Sequence, residues 1–98
     1  MAISKIPQPY RPVNIGYTGN TGSVTFQFPS SPRRAYLLFT SHGLYYLHWT
    51  SDTSDSVAIG TIWKNATVNP TVTDNGNWSV TISGLVWYSQ VFALSGSV

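Results

Sequence analysis

The chain has 98 residues, with fourteen aromatic side chains against eight charged ones, no cysteine and no glutamate. One domain of this size buries only about 60–65% of its unfolded surface, and no disulfide reinforces the thin core. The net charge of +2 comes from Lys5, Arg11, Arg33, Arg34 and Lys64 against Asp52, Asp55 and Asp74. That scatter forms no phosphate-tracking stripe and argues against a nucleic-acid partner.

Residues 1–12 carry Pro7, Pro9 and Pro12 around Tyr10, which sets an extended arm or linker ahead of a single β-sandwich domain over 13–98. The opening residues lack the apolar middle of a signal peptide, and no segment reaches the ~18–20 apolar residues of a membrane span. Neither export by the usual secretory route nor a membrane partner is expected, and a cytoplasmically made protein with an extracellular role would have to leave by lysis or in a particle.

From residue 13 the period is two. Val13, Ile15 and Tyr17 alternate with Asn14, Gly16 and Thr18, and then Val24, Phe26 and Phe28 alternate with Thr25 and Gln27. Residues 34–40 (RAYLLFT) form a denser apolar run, consistent with a strand covered on both faces. Ser41, His42 and Gly43 turn the chain into LYYLHWT over 44–50, where both faces are partly aromatic. A polar loop, SDTSDS, precedes the strand VAIGTIW over 57–63. Residues 70–73 read as a short edge strand and Asp74-Asn75-Gly76 as its turn. Trp78, Val80 and Ile82 then alternate toward the core, and VWYSQVFAL over 86–94 closes the sheet. About eight short strands with no helical stretch predict an all-β, antiparallel, jelly-roll-like β-sandwich.

The chemistry available is sparse. Catalysis needs a nucleophile with a base or a spaced carboxylate pair, and three Asp and two His offer neither. Asp52 and Asp55 share one loop and read as turn formers, not as a glycosidase pair. His42 and His48 stand too far apart along their strand to share an ion within one chain. Only copies of His48 around a threefold axis would meet. The chain is expected to be non-enzymatic, with no cofactor and no metal. The sequons Asn65-Ala66-Thr67 and Asn77-Trp78-Ser79 carry no weight without a signal peptide.

The aromatic residues have two uses. Most rings in so small a chain pack in the core or between subunits. Sugar C–H faces also stack on indole and phenol rings, with hydroxyls bonded by nearby Asp, Asn or His. Tyr45, Tyr46, His48, Trp49 and Asp52, with Trp63 ending the next strand, form the candidate ligand-binding cluster.

The Pro-rich entry IPQPYRPV, the stretch RRAYLLFTSHGLYYLHW and the closing NWSVTISGLVWYSQVFALS resemble the C-terminal head, or receptor-binding, modules of tailed-bacteriophage tail fibres. The resemblance implies a homotrimer of jelly-roll-like heads, a host cell-surface glycan or protein as target, and no enzymatic activity. It carries no binding residue across position by position. Two alternatives stand beside it: a capsid or tail decoration protein bound to other virion proteins, and a stand-alone bacterial carbohydrate-binding module.

Overall fold

A computed structural model describes residues 11–30, 34–49 and 56–97. Within them the chain is all-β, with eight strands in two antiparallel sheets. The strands are β1 (Arg11–Tyr17), β2 (Val24–Gln27), β3 (Arg34–Thr40), β4 (Gly43–Trp49), β5 (Val57–Lys64), β6 (Thr71–Gly76), β7 (Ser79–Ser83) and β8 (Gln90–Ser97). The larger sheet has the order β1-β8-β3-β4-β5 and the smaller β2-β7-β6. The pairings of β1 with β8, β8 with β3 and β2 with β7 are those of a jelly roll. The inner strands depart from it: β3, β4 and β5 run as a meander in one sheet, and β6 pairs back on β7 in the other. Residues 1–10, most of the expected arm, lie outside the described residues. Arg11 and Pro12 already pair with Ser95 and Leu94 of β8.

Alternation decides which side chains enter the core. In β4 every second residue is buried, so Tyr45, Leu47 and Trp49 point inward while Leu44, Tyr46 and His48 point outward. Tyr36 and Leu38 of β3, and Val91 and Ala93 of β8, share the inner side. Phe26, Val80 and Ile82 of the smaller sheet meet them, with Phe28 just beyond β2. The centre is aromatic. Trp49 stands 5.5 Å from Phe28, 6.1 Å from Tyr36 and 5.2 Å from Trp78, all between ring centroids.

Two local features differ from the sequence expectation. The β6–β7 turn is not Asp74-Asn75-Gly76, since these residues belong to β6. The turn is Asn77-Trp78, with φ of 51° and 62°, and Gly76 pairs with Ser79 across it. Two consecutive left-handed residues are the signature of a type I′ hairpin turn. Trp78 is a poor residue for that conformation. Its indole is nevertheless buried against Trp49, and this burial compensates for the strain. Asp74 ties β6 to β5 of the other sheet, its carboxylate accepting from the Val57 amide at 3.1 Å, and it also accepts from the amide of Gly76 two residues on at 2.9 Å.

The second difference lies in the closing strand. Residues 86–89 are not part of it, and β8 begins at Gln90. The smaller sheet also covers the larger one incompletely. At the edge β5 is exposed almost throughout, and a cavity of about 210 Å³ opens between it and β6, lined by Tyr45, Thr61, Lys64, Thr71 and Val72 among others.

The two outer faces should respond differently from the core to substitution. Leu47→Ala is expected to cost about 2–5 kcal/mol in urea unfolding, as a fully buried leucine leaves a cavity. Thr73→Ala, on the exposed side of β6, should stay within about 0.5 kcal/mol of the parent.

Candidate functional site

The expected ligand cluster is divided by the sheet. Tyr45 and Trp49 point into the core; Trp49 is fully enclosed, and Tyr45 reaches solvent only as part of the lining of the cavity between β5 and β6. Tyr46 and His48 lie half-buried on the outer side of β4, their rings 6.3 Å apart. Trp63 is exposed at the far end of β5, paired with Leu44. Asp52 lies outside the described residues. The five described positions therefore do not converge on one platform. Strand periodicity accounts for this: residues 45 and 49 share one face, and 46 and 48 share the other.

Tyr45 is better understood as a core residue with a polar cost. Its hydroxyl is buried with no hydrogen-bond partner among the described residues, and burial raises the phenol above its ordinary pKa. Gly43 makes room for it, since a Cβ there would lie 2.6 Å from the Tyr45 hydroxyl.

A different group of rings is presented to solvent. Tyr17 is 57% exposed, Trp87 64% and Tyr88 61%, with Val86 exposed beside them. The rings of Tyr17 and Tyr88 stand 6.0 Å apart at 51°. Gln90 pairs with Tyr17 across the ladder and is also exposed, so an amide lies next to the rings.

This group is held by a buried threonine. The Thr18 hydroxyl donates to the Val86 carbonyl at 3.1 Å and accepts from the Ser89 amide at 2.8 Å. The Thr18 amide donates to the Ser89 carbonyl at 3.0 Å, and the Tyr88 amide to the Gly19 carbonyl at 2.7 Å. The Leu85 amide reaches the Gly22 carbonyl at 3.0 Å. Gly22 is required at that point. It has φ of 69°, and a Cβ would fall 2.3 Å from the Leu85 carbonyl oxygen. Tyr88 itself takes φ of 60°, a conformation costing about 1–3 kcal/mol that persists only where surrounding bonds enforce it. Two loops, 18–22 and 84–89, are thus fastened together, with aromatic side chains on their outer surface.

Sequence reasoning missed this site because VWYSQVFAL reads as one strand. The available signal was the polar pair Ser89-Gln90 after two adjacent rings, which an alternating strand cannot bury together. Among the described residues, no three His, Asp, Glu or Cys side chains gather closely enough to hold a metal ion. Compared with known proteins, the chain matches no family model, no curated protein and no solved structure.

Two measurements test these assignments. Thr18→Val should destabilise the fold by about 1–3 kcal/mol and speed hydrogen exchange at the Ser89 amide, which loses its acceptor. Tyr45→Phe should be neutral or stabilising at neutral pH, because it removes an unpaired hydroxyl. A raised phenol pKa means the unfolded chain releases its proton first, near pH ~10, so this contribution is complete below that pH and lost above it. Urea midpoints should therefore fall less steeply above about pH 10 in Tyr45→Phe than in the parent.

Proposed function

We propose that the chain is a non-enzymatic receptor-binding head module of the tail-fibre type, carried on a virion as a homo-oligomer and binding a host-surface glycan. The observation that supports this reading is the solvent-facing group of Tyr17, Trp87 and Tyr88 on loops braced by Thr18. Rings left in water on a fixed backbone bind with little ordering cost. They offer flat apolar faces to sugar C–H groups, while Gln90 and the nearby Ser89 supply amide and hydroxyl partners. A fixed, largely uncharged surface suits a neutral polysaccharide better than an ionic ligand.

Val86 beside the rings also suits a protein surface, and this favours the decoration-protein alternative as the second reading. Binding to a panel of purified bacterial cell-wall glycans separates the two. The parent should bind at least one glycan, and Trp87→Ala should weaken that binding at least about tenfold, the loss of roughly 1.4 kcal/mol of stacking. Thr73→Ala, on the outer side of the smaller sheet, should leave it within about twofold. Binding unchanged by Trp87→Ala would reject the loop as the receptor site. Absence of glycan binding with retention on purified particles would favour decoration.

A further inference from the structure

Two adjacent rows on the outer face of the larger sheet are apolar from edge to edge, flanked by rows that hold His48 and Gln90. Following the ladder, Ile15 pairs with Phe92, Phe92 with Phe39, Phe39 with Leu44, and Leu44 with Trp63. One row of large apolar side chains therefore crosses all five strands on the side facing away from the core. The adjacent row is Pro12, Leu94, Leu37, Tyr46 and Gly60. None of these ten residues carries a charge. Ile15, Phe39 and Trp63 stand open to water, and Leu37, Leu44, Tyr46, Phe92 and Leu94 are half-buried.

The smaller sheet shows how this same chain builds a face that meets water. Its outer side carries Thr25, Gln27, Thr73, Asn75, Ser79 and Thr81. The Thr25 and Thr81 hydroxyls bond at 2.7 Å, and the Asn75 amide donates to Thr81 at 2.7 Å and to Ser79 at 3.2 Å. Antiparallel sheets with one solvated face alternate apolar-in and polar-out. The smaller sheet follows that pattern and the larger one breaks it.

We infer that the outer face of the larger sheet is closed by a second copy of this chain. Five strands ~4.8 Å apart and seven residues long at ~3.3 Å each give a projected face of roughly 550 Å². The two apolar rows, at ~6.6 Å of strand each, cover roughly 320 Å² at its centre, and the rows holding His48 and Gln90 flank them. With its corrugation, the face approaches the ~800 Å² per partner of a stable interface. A copy of the same face suits it in charge as well as area. With no charged side chain in either row, two identical faces meet without desolvating or opposing a charge, and side chains interdigitate as in sheet-on-sheet packing. The exposed rings of the 84–89 loops lie at the β1–β8 end of this face, so association leaves them at its rim. An assembly of two or three chains satisfies the inference equally.

The absence of cysteine allows a test in the full chain. Sedimentation equilibrium at micromolar concentration should give the mass of a dimer or trimer. Phe39→Asp should weaken association at least about a hundredfold, while Thr25→Asp on the polar face leaves the mass unchanged. Should Phe39→Asp fail to fold, single-cysteine variants decide the question. Phe39→Cys should crosslink between chains with a short bis-maleimide, and Thr25→Cys should not. A monomeric parent overturns the inference, whether residues 1–10, a lipid surface or another protein then covers the face. Equal crosslinking of the two cysteine variants overturns it as well. The inference rests on the homo-oligomer of the proposed function, which a monomeric parent would also remove, whereas glycan binding is read separately through Trp87→Ala and can stand or fail without the interface.

Discussion

The contact of Trp49 with Phe28, Tyr36 and Trp78 is the one on which the sandwich depends. Two of those rings belong to the larger sheet, one follows β2, and one sits on the β6–β7 turn. A cysteine-free chain of this length has no covalent tie between its sheets. Large rings bury the most area per residue, and tilted or edge-on pairs add about 0.5–1.5 kcal/mol each beyond that area. The same cluster explains the strained turn. Trp78 in a left-handed conformation is unfavourable locally and retained because its indole completes the junction between sheets.

With the centre filled from β4, the outer residues of the larger sheet are determined by alternation alone. Once Tyr45, Leu47 and Trp49 turn inward, Leu44, Tyr46 and His48 must turn outward, and their ladder partners with them. The apolar outer rows are thus locked in place by the core, and no slip of register can hide them without exposing Trp49. Their persistence contrasts with the hydroxyl and amide side chains on the outer side of the smaller sheet, and the inferred association accounts for that contrast.

The number of strands and their places along the chain were legible because period-two runs are punctuated by Gly, Pro, Asn and Ser at nearly every turn, whereas their order within the sheets was not. The sense of each face was not. Periodicity separates residues 44, 46 and 48 from 45, 47 and 49, but both sets are apolar and aromatic, so only the opposing sheet determines which is buried. Asp74-Asn75-Gly76 is a stronger turn signal than Asn77-Trp78, and tertiary burial of Trp78 overrode it. At 86–89 the apolar run concealed a loop, because the bonds that define it come from Thr18, sixty-eight residues earlier than Val86. Local pattern carries no information about such a partner. The candidate site moved for both reasons, from a strand whose rings are divided between core and outer face to a loop whose rings stand open to solvent.

The two surfaces differ in a way that matches distinct uses. The sheet face is broad, regular and fixed by the ladder, which suits a repeated contact between identical partners. The loop site is narrow and set by bonds from Thr18 to Val86 and Ser89 and from Tyr88 to Gly19, with Tyr88 in a left-handed conformation between them. Strain of this kind persists where geometry is selected over stability. Positioned at the end of the face, the rings gain rigidity from the sheet while remaining open. If chains associate through the face, each assembly presents two or three such loops together, and weak individual stacking becomes strong attachment to a repetitive polymer through effective concentration. Loss of association would then lower attachment to cells far more than it lowers affinity for a single glycan fragment, a separation that follows from geometry and not from any change at the rings.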